Sequence, residues 1–124
     1  GDTIVLNDGE ILGKPDDNDD AKSMLEKLSG DQHTVLSGVA VLSTNDNKTM
    51  VDHDQTKVYM RKITGHEIKE YVDTGEPMDK AGSYAIQGLG GIFVEKINGS
   101  YFTVMGLPIH KLQTMLKEFS VDVI

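Results

Sequence analysis

The stretch from His33 to Thr44 is a long succession of threonine, valine, leucine and serine, closed by the polar turn Asn45-Asp46-Asn47 and followed by a second extended run from Lys48 to about Ile63. Residues of this kind favour extended backbone, and two such runs around a short polar turn predict a long antiparallel hairpin. An isolated hairpin is barely stable in water, so the rest of the chain has to supply further strands and covering helices. His53-Asp54-Gln55 breaks the character of the second arm and predicts a bend or bulge there.

The flanking sequence supplies both. Thr3, Ile4 and Val5 begin a strand that ends at Leu6, Asn7-Asp8-Gly9 is a hairpin turn signal, and Glu10-Ile11-Leu12 returns toward Gly13-Lys14-Pro15. Ala21, Met24, Leu25 and Leu28 recur at helical spacing, with Ser29-Gly30 as the stop. The acidic cluster from Asp16 to Asp20 precedes that helix, where carboxylates cap free amides and complement the dipole, a structural account preferred here to metal binding. Thr64 and Glu67 form a capping-box pattern ahead of a short helix with Ile68, Tyr71 and Val72 on its apolar face. Farther on, Gly91 to Ile97 reads as a strand, Asn98-Gly99 as a hairpin turn and Ser100 to Met105 as its return. A final helix is predicted from Pro108 to Phe119, burying Ile109, Leu112, Met115, Leu116 and Phe119. The expected class is α+β, a mixed, mostly antiparallel sheet with flanking helices, and residues 1–124 read as a single domain.

Charge narrows the partners. A net charge of -8 argues against a nucleic-acid polymer or an anionic membrane surface, both of which need clustered lysine and arginine. A small anionic ligand stays admissible where local cations or a metal offset that charge. The chain has no cysteine, which leaves no disulfide framework, thiolate nucleophile or zinc-thiolate site. It shows no apolar run of membrane-spanning length and no signal-peptide pattern, and the expected location is the cytoplasm. No pair among His33, His53, His66 and His110 has metal-ligand spacing, so all are read as structural or surface residues. Met24, Met105 and Met115 are read as core filler.

The segment from Thr74 to Gly88 is different in kind. Glycines and Pro77 fix an irregular backbone, Glu76, Asp79 and Lys80 supply opposite charges, and the Gln87 carboxamide both donates and accepts. This suits a polar, planar ligand such as a nucleobase; the competing reading is a surface connection braced by a salt bridge.

Asp2-Thr3-Ile4-Val5, Leu12-Gly13-Lys14-Pro15, Leu28-Ser29-Gly30 with His33, the run Gly75 to Gly82, Ile86-Gln87-Gly88, and Gly99-Ser100-Tyr101 with Gly106-Leu107-Pro108 closely resemble, in order and across the whole chain, the Maf family of nucleoside triphosphate pyrophosphatases. The resemblance implies hydrolysis of a nucleoside triphosphate to the monophosphate and pyrophosphate with a divalent metal cation, magnesium or manganese, in a fold similar to the inosine triphosphate pyrophosphatases. Asp79 to Gly82 with Ile86-Gln87-Gly88 is similar to the subgroup acting on dTTP and UTP. The alternatives are the 7-methyl-GTP pyrophosphatases of the same family and a non-catalytic regulator of septum formation. The family pattern carries Asp2 over as general base and metal ligand, against a plain strand-entry aspartate, and Thr3 and Gln87 as specificity positions. Lys14, in its Gly-Lys-Pro turn, is aimed at phosphate oxygens, while Asp79 and Lys80 either contact substrate or form a supporting ion pair. Glu76 is read as structural.

One part of the pattern is missing. The family's Ser-x-Ser-Pro-Arg-Arg loop, expected to grip the phosphates, does not occur, so the chain is expected to be the C-terminal two-thirds of a Maf-like domain, with further sequence upstream of Gly1. Phosphoryl transfer depends on positioning and charge stabilisation, which predicts that this chain alone is weak or inactive. A homodimer covering exposed sheet edges is a further expectation.

Overall fold

The computed structural model describes residues 2–124, and its first two strands make the expected ribbon. β1 (Thr3–Asn7) turns through Asp8 and Gly9 into β2 (Glu10–Leu12), with Val5 opposite Leu12. Both turn residues have positive φ, +48° and +77°, the backbone that a two-residue hairpin loop demands. β3 (Gln32–Ser43) and β4 (Lys48–Met60) form the long hairpin, in register from Gln32 opposite Tyr59 to Ser43 opposite Lys48. β1 pairs with the first half of β3, and β5 (Val94–Asn98) with the end of β4. The sheet order is β2-β1-β3-β4-β5, and every described pairing is antiparallel.

The expected bend at His53-Asp54-Gln55 is absent: register passes through all three, and the irregularity falls later, between Tyr59 and Met60. The polar residues keep extended backbone because the inward carboxylate of Asp54 has a partner, the Thr103 hydroxyl, which donates to it at 2.7 Å.

His33, Val35, Ser37 and Val39 point inward at period two, so β3 presents one face to the helices. α1 (Asn18–Leu28) and α2 (Gly65–Asp73) cover the end of the sheet nearest Gln32, where Ala21, Leu25, Leu28, Ile68 and Val72 join Val35 and Val58 in one core. Both helix starts form as the sequence predicts. Asp17 accepts from the Asp20 amide at 2.7 Å, and Thr64 and Glu67 cap each other at 3.1 Å in both directions.

Three expectations near the C-terminus need correction. The strand expected from Gly91 begins only at Val94, because Leu89–Phe93 coil into a 3-10 turn. Ser100 to Met105 is not a returning strand: residues 101–105 form a short helix, α3 (Tyr101–Met105). The cause is tertiary. The Ser100 amide donates to Thr56 Oγ1 at 2.9 Å and that hydroxyl donates back to the Ser100 carbonyl at 3.0 Å, which draws the chain across β4. A Cβ on Gly99 would come within 2.5 Å of that same oxygen. Ser100 then caps α3 and Gly106, at φ +118°, ends it. α4 (Ile109–Glu118) matches the predicted final helix, but of its expected core row only Met115 is buried; Leu112, Leu116 and Phe119 are half-buried and Ile109 is exposed. β1 reaches only as far as Ser37, so α4 rests on the two-stranded end of the hairpin, too narrow to cover more than one row of side chains.

Candidate functional site

Between the two helical pairs lies a cleft of about 470 Å³, walled by the start of β1, the turn after β2, the loop after α2 and the end of α3. Asp2, Thr3, Lys14, Asp79, Lys80 and Gln87 all line it. Residues far apart in sequence are thus brought to one place.

Backbone contacts place the first strand and the two loops that carry these residues. The Asp2 carbonyl accepts from the Gly38 amide at 2.8 Å, extending the β1–β3 ladder and leaving the Asp2 side chain exposed at the cleft. The Lys14 turn is tied across to the loop by the Gly82 amide, which donates to the Gly13 carbonyl at 3.1 Å. Gly82 allows the loop to lie against β1: its φ is +72°, and a Cβ there would sit 2.8 Å from Val5 Cγ2. Lys80 Nζ donates to Asp79 Oδ1 at 3.0 Å. Lys80, with a smaller contribution from Lys14, holds the Asp79 carboxyl below its ordinary range, so it is ionised at neutral pH. The cations of Lys14 and Lys80 give an otherwise acidic chain a local site where an anion can bind.

Glu76 does not line the cleft and acts as a clasp beneath it. Its carboxylate accepts from the Leu89 and Gly90 amides, each at 3.0 Å, and from the Tyr71 hydroxyl, which itself accepts from the Ala85 amide at 3.1 Å. Burial works against the charged form of Glu76, but the Tyr71 hydroxyl and the amides outweigh it and hold the carboxyl below its ordinary range. This supports the rim on which Gln87 stands exposed.

Thr3 belongs to a buried polar row. Its Oγ1 lies 3.0 Å from Ser37 Oγ, and Ser37 donates to the Thr103 carbonyl at 2.8 Å. Behind the cleft wall, His33 Nε2 lies 2.6 Å from the Tyr84 hydroxyl. Burial lowers the His33 pKa to about 4, with Asp31 opposing, so the ring is neutral and structural, as the sequence reading has it. His110 Nε2 lies 3.5 Å from Asp54 Oδ2, the oxygen that accepts from Thr103.

Tyr84 and Met105 also line the cleft, and the sequence reading names neither as a site residue. Tyr84 carried a weak signal as an aromatic inside a polar loop. Met105, expected in the core, is 43% exposed because α3 turns it toward the cleft mouth. Met24 and Met115 are buried as expected. The Asp16–Asp20 run serves as the α1 cap, and among the described residues no cluster of three or more histidine, aspartate or glutamate side chains is arranged to hold a metal ion.

The fold is thus an antiparallel α+β sheet with a polar, mixed-charge cleft between its helices. The chain belongs to the Maf family: residues 1–119 match the family described as Maf-like protein. It is 52% identical over 121 residues to a dTTP/UTP pyrophosphatase of Clostridium botulinum (strain Kyoto / Type A2), covering 98% of this chain and 62% of that protein. Against the dTTP/UTP pyrophosphatase of Alkaliphilus metalliredigens identity is 52% over 124 residues, 99% of this chain and 64% of the relative. Against that of Caldanaerobacter subterraneus it is 54% over 121 residues, 97% and 58%. The chain therefore spans less than two thirds of the length of these curated relatives.

Proposed function

We propose that this protein is a nucleoside triphosphate pyrophosphatase hydrolysing dTTP and UTP to the monophosphate and pyrophosphate. The observation that carries this reading is the convergence of Asp2, Thr3, Lys14, Asp79, Lys80 and Gln87 on one cleft. Its volume, about 470 Å³, lies within the range of small-molecule sites. The relatives' names support the choice of substrate.

In the proposed reaction a water oxygen bonds to the α-phosphorus as the bond from that phosphorus to the bridging oxygen of the leaving pyrophosphate breaks. Asp2 accepts the water proton, and its exposed carboxylate at the cleft edge gives it access to do so. Lys14, held in its turn by the Gly82–Gly13 hydrogen bond, balances charge on the departing pyrophosphate. Gln87 offers both a donor and an acceptor to the base edge that uracil and thymine share. Asp79 and Lys80 neutralise each other when the site is empty, and Lys80 is proposed to turn to phosphate when substrate enters.

Asp2 is also the residue that would hold a divalent cation, magnesium or manganese, its hard carboxylate oxygens suiting either ion. When bound, such a cation supplies a lower pKa for the attacking water and offsets triphosphate charge. No described helix is long and apolar enough to cross a membrane, and a cytoplasmic location is part of this proposal. So is a homodimer, since β2 and β5 leave open sheet edges.

The test is pyrophosphate release from a panel of triphosphates with magnesium or manganese, measured on a protein that also carries the family's Ser-x-Ser-Pro-Arg-Arg loop. Fastest release from dTTP or UTP is expected; equal or faster release from 7-methyl-GTP overturns the substrate assignment.

A further inference from the structure

We propose that Ser37 sets the base selectivity of the cleft by committing the Thr3 hydroxyl to the acceptor role. The site then favours a base that presents an N–H to Thr3, as the imide of uracil or thymine does, over cytosine, whose ring nitrogen presents a lone pair. The proposal rests on the reading of the cleft as a pyrimidine nucleotide site.

The argument is one of proton counting. A backbone carbonyl only accepts, so Ser37 Oγ, 2.8 Å from the Thr103 carbonyl, spends its single proton there. Thr3 Oγ1 lies 3.0 Å from the same serine oxygen, which has no second proton to give; Thr3 is therefore the donor in that bond. With its proton directed inward, Thr3 shows the cleft only lone pairs.

The surroundings hold this polarity in place. Ser37 and Thr103 are fully buried, which keeps water from offering either a substitute partner. The Thr103 hydroxyl donates to Asp54 Oδ2 at 2.7 Å, fixing α3 and hence the carbonyl that orients Ser37. Ladder register sets Thr3 opposite Ser37 and Ser37 opposite Asp54, so the polar row spans three strands directly beneath α3. With an apolar residue at position 37 the Thr103 carbonyl would keep its bond from the Gly106 amide at 3.1 Å, whereas the Thr3 hydroxyl would lose its inward partner. A serine there makes sense if the direction of the Thr3 proton matters.

The experiment compares calorimetric binding of UTP and CTP to the wild type and to Ser37→Ala, Thr3→Ser and Thr3→Val, each in a protein that also carries the family's Ser-x-Ser-Pro-Arg-Arg loop. Wild type is expected to prefer UTP by roughly tenfold or more, the worth of one satisfied against one opposed hydrogen bond. In Ser37→Ala the freed Thr3 hydroxyl can turn its proton toward cytosine, so the preference should collapse toward unity, with CTP binding improved. Thr3→Ser keeps the inward proton and should keep the preference; Thr3→Val should lose it through weaker UTP binding. Equal weakening of UTP and CTP in Ser37→Ala, or an unchanged ratio, overturns the proposal and leaves Ser37 as a packing residue. Should that variant fold poorly, Ser37→Cys, whose thiol is a weaker donor to the Thr103 carbonyl and a weaker acceptor from Thr3, should lower the preference partway, and an unchanged ratio there overturns the proposal. A wild-type chain that binds neither UTP nor dTTP overturns the underlying nucleotide reading, whereas one that binds UTP and CTP equally overturns only the role of Ser37.

Discussion

Asp2 is positioned through its backbone, by the Gly38 amide, so its carboxylate can be altered without disturbing the strand. On the proposed mechanism, Asp2→Asn should lower turnover, measured on a protein that also carries the family's Ser-x-Ser-Pro-Arg-Arg loop, by roughly two to four orders of magnitude, the usual contribution of a general base, with the melting temperature unchanged. Retained turnover removes Asp2 from that role. His33 gives a second prediction, concerning stability. Its folded pKa is about 4 against an ordinary 6.5, so the unfolded chain binds the proton more readily between those values. Stability should be at its full value above about pH 6.5 and fall as pH drops toward 4, by up to roughly 3 kcal/mol. Unfolding measured from pH 7.5 to 4.5 checks this, and His33→Gln, which does not titrate, should flatten the dependence. Asp2, Lys14 and Gln87 were legible as residues because each sits in a short motif. Ser37 was not, because a serine inside a β-type run looks the same whether its hydroxyl faces solvent or orients a neighbour.

Elements whose instructions lie within one turn of chain were the readable ones. The α2 capping box needs only Thr64 and Glu67, and Thr64→Ala should cost about 1 kcal/mol in chemical denaturation. Glu67 also meets Arg61 at 2.7 Å, which holds its carboxyl at about 2. The sign is that of a depressed acid: this contribution is present above the ordinary carboxylate value and is lost as pH falls toward 2, a lower window than that of His33. α3 was misread because Thr103 and Val104 favour strands locally, while the hydrogen bonds that decide the matter, from Thr56 to Ser100 and from Thr103 to Asp54, reach across the sheet. The irregular, polar character of the loop from Thr74 to Gly88 was legible, but its docking on β1 through Gly82 was not. Gly82→Ala combines a left-handed backbone with a clash against Val5 and should cost about 2 kcal/mol or more. It should also weaken nucleotide binding beyond any loss of folded protein, because the loop carrying Asp79, Lys80 and Gln87 must shift. Affinity unchanged at full folding would show that the close approach is dispensable.

For the molecule as a whole, the sheet is unevenly buried. Val35 and Ser37 lie between β1 and β4 beneath packed helices, whereas Leu42 and Val51, at the far end of the hairpin, are 69% and 75% exposed. Amide hydrogen exchange should therefore be slowest around Val35 to Ser37 and roughly tenfold or more faster from Ala40 through Asp52, because local opening there exposes little apolar surface. Uniform protection along the hairpin would contradict this. The long hairpin, the amphipathic faces of α1 and α2 and the family membership follow from the order of residues alone, since alternation, helical spacing and capping are short-range patterns with a single economical geometry. The cleft is another matter. It exists because β1, the Lys14 turn, the Gly82 loop and α3 meet at one end of the helical layer, and the Thr3 proton points inward because a carbonyl on α3 sets the direction of a serine on β3. Contacts between residues this distant in sequence leave no periodic trace, and only the packed sheet and helices decide them.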